Sequence, residues 1–414
     1  MRERYNRLMK TALLLLCGLS LSCVAQTPPA VATVPITLDH NRTIIDVRFP
    51  LPDGSTKRVR AWVDNGNPDL WITEDLAKKL GLSFSGEAKE EMGLKVRLVH
   101  PPKELRIGGF SVTTAGVPEA HALVDRESIA PGSSAEINLP ASVLRHYDVL
   151  VDYPNREFTI GPPGSIPFKG DAAKALVNDQ NGLLQVSANV AGENSNLALD
   201  VGASFSFLAD TVVSQLHKTH PDWPYMVGAV GPANMWGSPQ EPGMPLLRVP
   251  TLQYGGVTFT GAGFGGLSKD AMDWFAKRAG VSTIGLLGAN ALLNFQVGLD
   301  YAHSTVYCQR LRKTTAPDMD VVGLVLRPEP DERFTIVGVA EWQGKPSVPE
   351  VKPGDVLVSI DKVPAAGGTM GQVWSLLGGS PGDVRTLVVE RDGKQIKVNA
   401  TVRGFLAETS PVNK

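Results

Sequence analysis

Basic excess, cysteine and long apolar runs are all scarce in this chain of 414 residues. Lysine and arginine number 40 against 42 aspartate and glutamate, a formal net charge of −2, so no basic face for nucleic acid is expected. Of three cysteines, Cys17 and Cys23 lie near the N-terminus and only Cys308 lies beyond. That excludes a disulfide framework, and Thr305-Val306-Tyr307-Cys308 reads as a strand with a core thiol. There is no Gly-Lys-Ser/Thr phosphate loop. His217 and His220 lack a further ligand at metal spacing, which places them at a helix end before Pro221; no metal and no cofactor are expected. The longest apolar run, residues 12–21, is shorter than the about 20 residues a spanning helix needs.

That run follows Arg2, Arg4, Arg7 and Lys10 and precedes the small residues Cys23-Val24-Ala25. The pattern is a secretory signal over residues 1–25, cleaved before Gln26. Lipidation of Cys23 is the alternative, and only that route would tie the protein to a membrane. Export without disulfides points to a bacterial periplasm or cell envelope.

What the chain does have is a duplication. Ala61-Trp62-Val63-Asp64-Asn65-Gly66 is echoed by Leu197-Ala198-Leu199-Asp200-Val201-Gly202. Leu105-Arg106-Ile107-Gly108-Gly109-Phe110 is echoed by Leu252-Gln253-Tyr254-Gly255-Gly256-Val257, and residues 141–153 by 289–301, both ending on Asp-Tyr. Three matches in one order mean two copies of one domain, each placing one carboxylate at an equivalent position. Strand alternation over 43–49 and 59–63 leads into Asp64. A helix follows, with Thr73 as N-cap and Gly81 at its close; in the second copy Asp210 or Thr211 opens the matching helix. The Gly- and Pro-rich segment 161–167 separates the copies, and residues 314–317 mark a second break.

Two carboxylates held close in a semi-buried cleft cannot both ionise easily, so they share one proton. One can then take a proton from water while the other donates to a carbonyl oxygen, which is peptide hydrolysis by general acid–base catalysis. Gly66 and Gly202 allow the backbone to fold tightly beside each carboxylate.

The paired Asp-X-Gly frames resemble those of retroviral-type and pepsin-like aspartic proteases. Ile284-Gly285-Leu286-Leu287-Gly288 and Asp152-Tyr153-Pro154-Asn155 are similar to further segments of that family. The resemblance spans roughly residues 37–310 and implies a mostly β fold. Two retropepsin-like β-barrel lobes, 33–162 and 163–313, would form a pseudo-dimer with Asp64 and Asp200 as catalytic dyad, most active at acidic pH. Asn65, Gly66, Val201, Gly202 and Ala203 would frame the dyad. Two positions depart from the family, which places Ser or Thr between Asp and Gly. Here they hold Asn65 and Val201, and Val201 has no hydroxyl, so looser support of the second carboxylate is expected. The Gly-rich stretch 226–237 falls where the family's substrate-covering flap lies; a mobile flap and a plain surface loop fit it equally.

The C-terminal segment, 318–405, resembles a PDZ domain through Lys352-Pro353-Gly354-Asp355-Val356-Leu357, Gly382-Asp383-Val384 and Arg391-Asp392-Gly393-Lys394. A β-sandwich-like unit with short helices is implied, with Val322-Gly323-Leu324 as the loop for a peptide or protein terminus and residues 369–377 as the flanking helix. The expected function is that of an exported aspartic endopeptidase acting on polypeptide substrates. The alternative is a degenerate pseudoprotease that keeps the architecture to bind peptides or proteins.

Overall fold

In the computed structural model, residues 30–407 are described, apart from 52, 92, 93, 131 and 314–317. The expected signal segment with Cys23 and the break at 314–317 lie outside the described residues. The fold is mostly β, with a β-barrel and several sheets.

Alternation of buried and exposed residues sets the strands. Arg42–Pro50 buries Ile44, Val47 and Phe49, and Thr56–Asp64 buries Val59, Ala61 and Val63. These two pair antiparallel from Pro50↔Thr56 to Ile44↔Trp62, which delivers Asp64 at a strand end. Helix Glu74–Lys79 follows; the Leu76 N–H donates to Thr73 Oγ1, and Gly81 adopts φ +67° just beyond it. In the second half, helix Asp210–Thr219 starts after Ala209, which supplies no side-chain cap, and His220 closes it.

Strand order repeats between the halves. In the first it runs Arg42–Pro50, Thr56–Asp64, Ile137–Pro140, Leu70–Thr73, Ala120–Leu123. The second runs Leu184–Val190, Glu193–Leu199, Gly285–Leu287, Ser206–Ala209, Val257–Leu267, and then Pro245–Tyr254, which pairs back onto Leu184–Val190 and closes a barrel. The halves meet in a shared sheet where Asp148–Asp152 pairs antiparallel with Phe295–Asp300. The register runs from Asp148↔Asp300 to Asp152↔Gln296. Through the repeat, Asp148 corresponds to Gln296 and Asp152 to Asp300. Leu150 therefore faces its own counterpart, Gly298. Such a self-matched register arises only when the copies are related by a two-fold axis through that pair.

The C-terminal unit has a sheet in the order Leu324–Pro328, Phe334–Val339, Val356–Ile360, Val384–Arg391, Lys394–Thr401. Helix Met370–Leu377 lies beside it, opened by a capping box between Thr369 and Gln372. One apolar core spans both halves. A second joins the C-terminal unit to the second half, combining Val322, Leu324 and Trp374 with Ala229, Val230 and Met235. Residues 226–237 therefore form neither a free flap nor a surface loop. Ala229, Val230 and Ala233 are fully buried because their apolar side chains join the core shared with the C-terminal unit, and Asn234 is fully buried through hydrogen bonds to Leu326 and Glu241.

Candidate active site

Asp64 and Asp200 come together at the junction of the halves. A β-carbon at Gly66 would run into the Asp200 carboxylate. One at Gly202 would lie 2.6 Å from the Val63 carbonyl oxygen and 2.9 Å from Asp64 Cα. Each glycine is thus required by the opposite loop, and any side chain there would push the two aspartates apart.

The carboxylates are 5% and 7% exposed, so ionisation is costly for both. Burial, then the charge of Asp200, holds the Asp64 carboxyl well above the usual range; Asn138, Asn67 and Arg42 oppose the shift. Burial lifts Asp200 to about 6, opposed by the backbone N–H groups of Gly202, Ala203 and Gly66. Two of these bonds reach Asp200 Oδ1, at 2.8 Å from Gly202 and 3.0 Å from Ala203. Backbone donors favour the charged form, so Asp200 is the member that ionises first and Asp64 keeps the proton.

The missing hydroxyl at Val201 does not leave that loop loose. Asn65 reaches across the junction with both ends of its amide: Nδ2 donates to Leu199 O at 2.8 Å, and Oδ1 accepts from Val201 N–H at 2.8 Å. The Val201 carbonyl accepts from Thr43 Oγ1 at 3.0 Å and from Tyr153 Oη at 3.1 Å. The expectation of looser support for Asp200 is thereby corrected, because backbone groups replace the side-chain hydroxyl. Tyr153 ends one repeated Asp-Tyr segment; its counterpart Tyr301 is buried near Asn65. Ala203 keeps the repeat in its backbone: its carbonyl accepts from Ala289 N–H at 2.8 Å, as Asn67 O does from Ala141 N–H at 2.8 Å.

Three residues not assigned to the site from the sequence shape it. Asn138 Nδ2 donates to Asp64 Oδ2 at 3.2 Å and to Asp69 O at 3.0 Å, while Oδ1 accepts from Trp71 N–H at 2.8 Å. Trp62 Nε1 donates to Gly202 O at 3.0 Å, bridging the halves beside the dyad. Fully buried Arg42 lies over the Trp62 ring at 5.6 Å and donates to Met235 O. The repeat carried a signal for two of them. Asn138 stands where the second copy has Leu286, and Trp62 where it has Ala198. Nothing in the sequence marked Arg42.

In the C-terminal unit, the Val322 N–H donates to Leu377 O at 3.0 Å and the Leu324 N–H to Val322 O at 2.8 Å. Gly323 O accepts from Ala340 N–H at 2.9 Å and from Ser347 Oγ at 3.2 Å. Two of that loop's N–H groups are thus engaged within the unit. Cys308 is buried in strand Thr305–Arg310, and burial pushes its thiol up to about 12.

No family model matches the chain, and no curated protein is significantly similar to it.

Proposed function

We propose that the protein is an aspartic-type endopeptidase built from two retropepsin-like lobes, followed by a PDZ domain and exported to the bacterial periplasm or cell envelope. The observation that carries this reading is the interlocking of two Asp-X-Gly turns on a two-fold axis, with each glycine making room for the opposite loop. Burial, which raises both carboxyl groups, and the charge of Asp200, which raises Asp64 further, support it.

In this reading Asp200, ionised, takes a proton from a water held between the carboxylates. The hydroxyl oxygen adds to the scissile carbonyl carbon, and Asp64 gives its proton to the carbonyl oxygen. The tetrahedral diol then collapses: the proton held by Asp200 passes to the amide nitrogen, ionised Asp64 takes back a proton from a diol hydroxyl as the carbonyl re-forms, and the C–N bond breaks. The reaction needs one proton on the pair. Because burial raises both carboxyl groups, the range in which the pair holds one proton lies higher than it would for exposed carboxylates.

A second reading, a peptide-binding pseudoprotease, is favoured by Trp62. Its indole engages Gly202 O beside the dyad, and both carboxylates are almost closed off from solvent. Hydrolysis of an unfolded protein at pH 6–7 by wild type, compared with Asp200→Asn and Asp64→Asn, separates the two. Activity lost in both variants supports the peptidase. Wild-type turnover equal to that of the Asn variants supports the binding reading.

A further inference from the structure

The edge strand Leu324–Pro328 pairs on one side with Phe334–Val339. On the other side its central residue meets a side chain from the second half. The Leu326 N–H donates to Asn234 Oδ1 at 2.9 Å, and Asn234 Nδ2 donates to Leu326 O at 2.9 Å. A carboxamide carries the donor and the acceptor of a peptide group. Asn234 therefore makes the two bonds that an added strand would make at this residue.

The insertion is firmly held. Asn234 is fully buried; its Nδ2 also donates to Glu241 Oε2 at 2.8 Å, and its own carbonyl accepts from His40 Nε2 at 2.9 Å. Glu241 accepts from Trp236 N–H at 2.8 Å and Ser238 N–H at 3.0 Å, which fixes the loop just after the insertion. Further along, the loop passes so close to the edge strand that a β-carbon on Gly237 would sit 2.8 Å from Arg327 Cα.

Helix Met370–Leu377 is engaged from outside the C-terminal unit as well, by the first half. The Met370 N–H donates to Gly132 O at 2.7 Å, and Thr369 Oγ1 donates to Asp39 Oδ1 at 2.6 Å. The His40 ring stacks on Trp374 with centroids 6.4 Å apart. At its other end the Asn234 loop reaches the dyad frame, where Ser204 Oγ donates to Pro232 O at 2.7 Å. One loop therefore touches the segment after Asp200-Val201-Gly202-Ala203 and also blocks a strand edge.

We propose that Asn234 is an internal ligand of the edge strand Leu324–Pro328, and that an extended segment of another polypeptide adding to this edge displaces it and releases residues 228–241 from the dyad side. The masking is independent of the catalytic reading; only its consequence for turnover rests on the peptidase proposal. The same loop cannot hold Leu326 and yield it to a strand at once, so strand addition and the closed loop are mutually exclusive states. The affinity for an added peptide is then reduced by the fraction of molecules with Asn234 withdrawn.

Two measurements on the full chain test this. Hydrogen exchange should show segments 324–328 and 228–241 accelerating together, about tenfold or more, in Asn234→Ala, with hairpin 384–401 unchanged. Acceleration of neither segment, or of only one, overturns the coupling. Binding to an immobilised library of random hexapeptides with free C-termini should be about tenfold tighter for Asn234→Ala than for wild type. Equal affinity overturns the masking, and no binding by either overturns the peptide partner. If the variant fails to fold, the wild type alone decides. Peptide at saturating concentration should raise exchange in 228–241, and a bound peptide that leaves it unchanged overturns the release. Absence of protein hydrolysis by every variant would count against the peptidase proposal alone, since neither readout uses turnover.

Discussion

Asn65→Ala is expected to unfasten the two halves. The Asn65 side chain is fully buried and makes two bonds across the junction, to Leu199 O and from Val201 N–H, both 2.8 Å. Alanine leaves a buried carbonyl and a buried N–H without partners. At about 1–3 kcal/mol for each unsatisfied group, the loss is about 2–6 kcal/mol. Asn65→Thr keeps a donor and an acceptor in its hydroxyl but on a side chain one bond shorter, so a loss smaller than that of alanine is expected. The expected order of stability is therefore Asn, then Thr, then Ala. Urea unfolding followed by far-UV circular dichroism measures the stabilities, and any peptidase activity should fall in the same order. A misplacement of the dyad by about 1 Å costs on the order of 100-fold in rate. Stability of Asn65→Ala within about 0.5 kcal/mol of wild type would refute the reasoning, because it would mean that the two backbone groups are not sealed from water.

Burial lifts the folded-state carboxyl of Asp200 from 3.8 to about 6, so a contribution to stability that is fully present below pH 3.8 is lost as pH rises from there through 6. Relative to wild type, Asp200→Asn should therefore gain stability between about pH 3.5 and about pH 7 in urea midpoint series, and a pH-independent difference would contradict it. Asn138→Leu, which copies the second half, removes the amide that stabilises charged Asp64, so the alkaline limb of the pH–rate profile should move up; an unmoved limb would show that the bond has no electrostatic role. The same change strands the Trp71 N–H and should cost about 1–3 kcal/mol in thermal unfolding. Trp62→Phe keeps an aromatic ring beside Arg42 but frees Gly202 O. Faster hydrolysis by this variant is expected if the indole closes the cleft, and unchanged turnover would show that it does not.

Periodicity and short motifs were enough to read the local elements. Strands Arg42–Pro50 and Thr56–Asp64 and the Thr73-capped helix follow from patterns within one or two turns of the chain, while helix Met370–Leu377 was expected only from the resemblance of the C-terminal segment. The duplication was equally legible, because it compares the chain with itself, and it singled out Asp64 and Asp200 as an equivalent pair. It could not say what braces them. Asn65 finds its partners 134 and 136 residues away, and Asn234 finds Leu326 at a separation of 92. No local propensity encodes which buried carbonyl will need an amide. The same holds for residues 226–237, whose glycines suggested a loop while their apolar neighbours, given a second surface to cover, went into a core. The sequence by itself determined the two-copy plan, the strands and the paired aspartates, since these depend on period and repetition. The tertiary structure alone decided that Asn65 clasps the second half, that Trp62 meets Gly202 and that Asn234 fills the edge of the C-terminal sheet. Satisfying a buried polar group is a requirement of the assembled interior, and it has no counterpart in the unfolded chain.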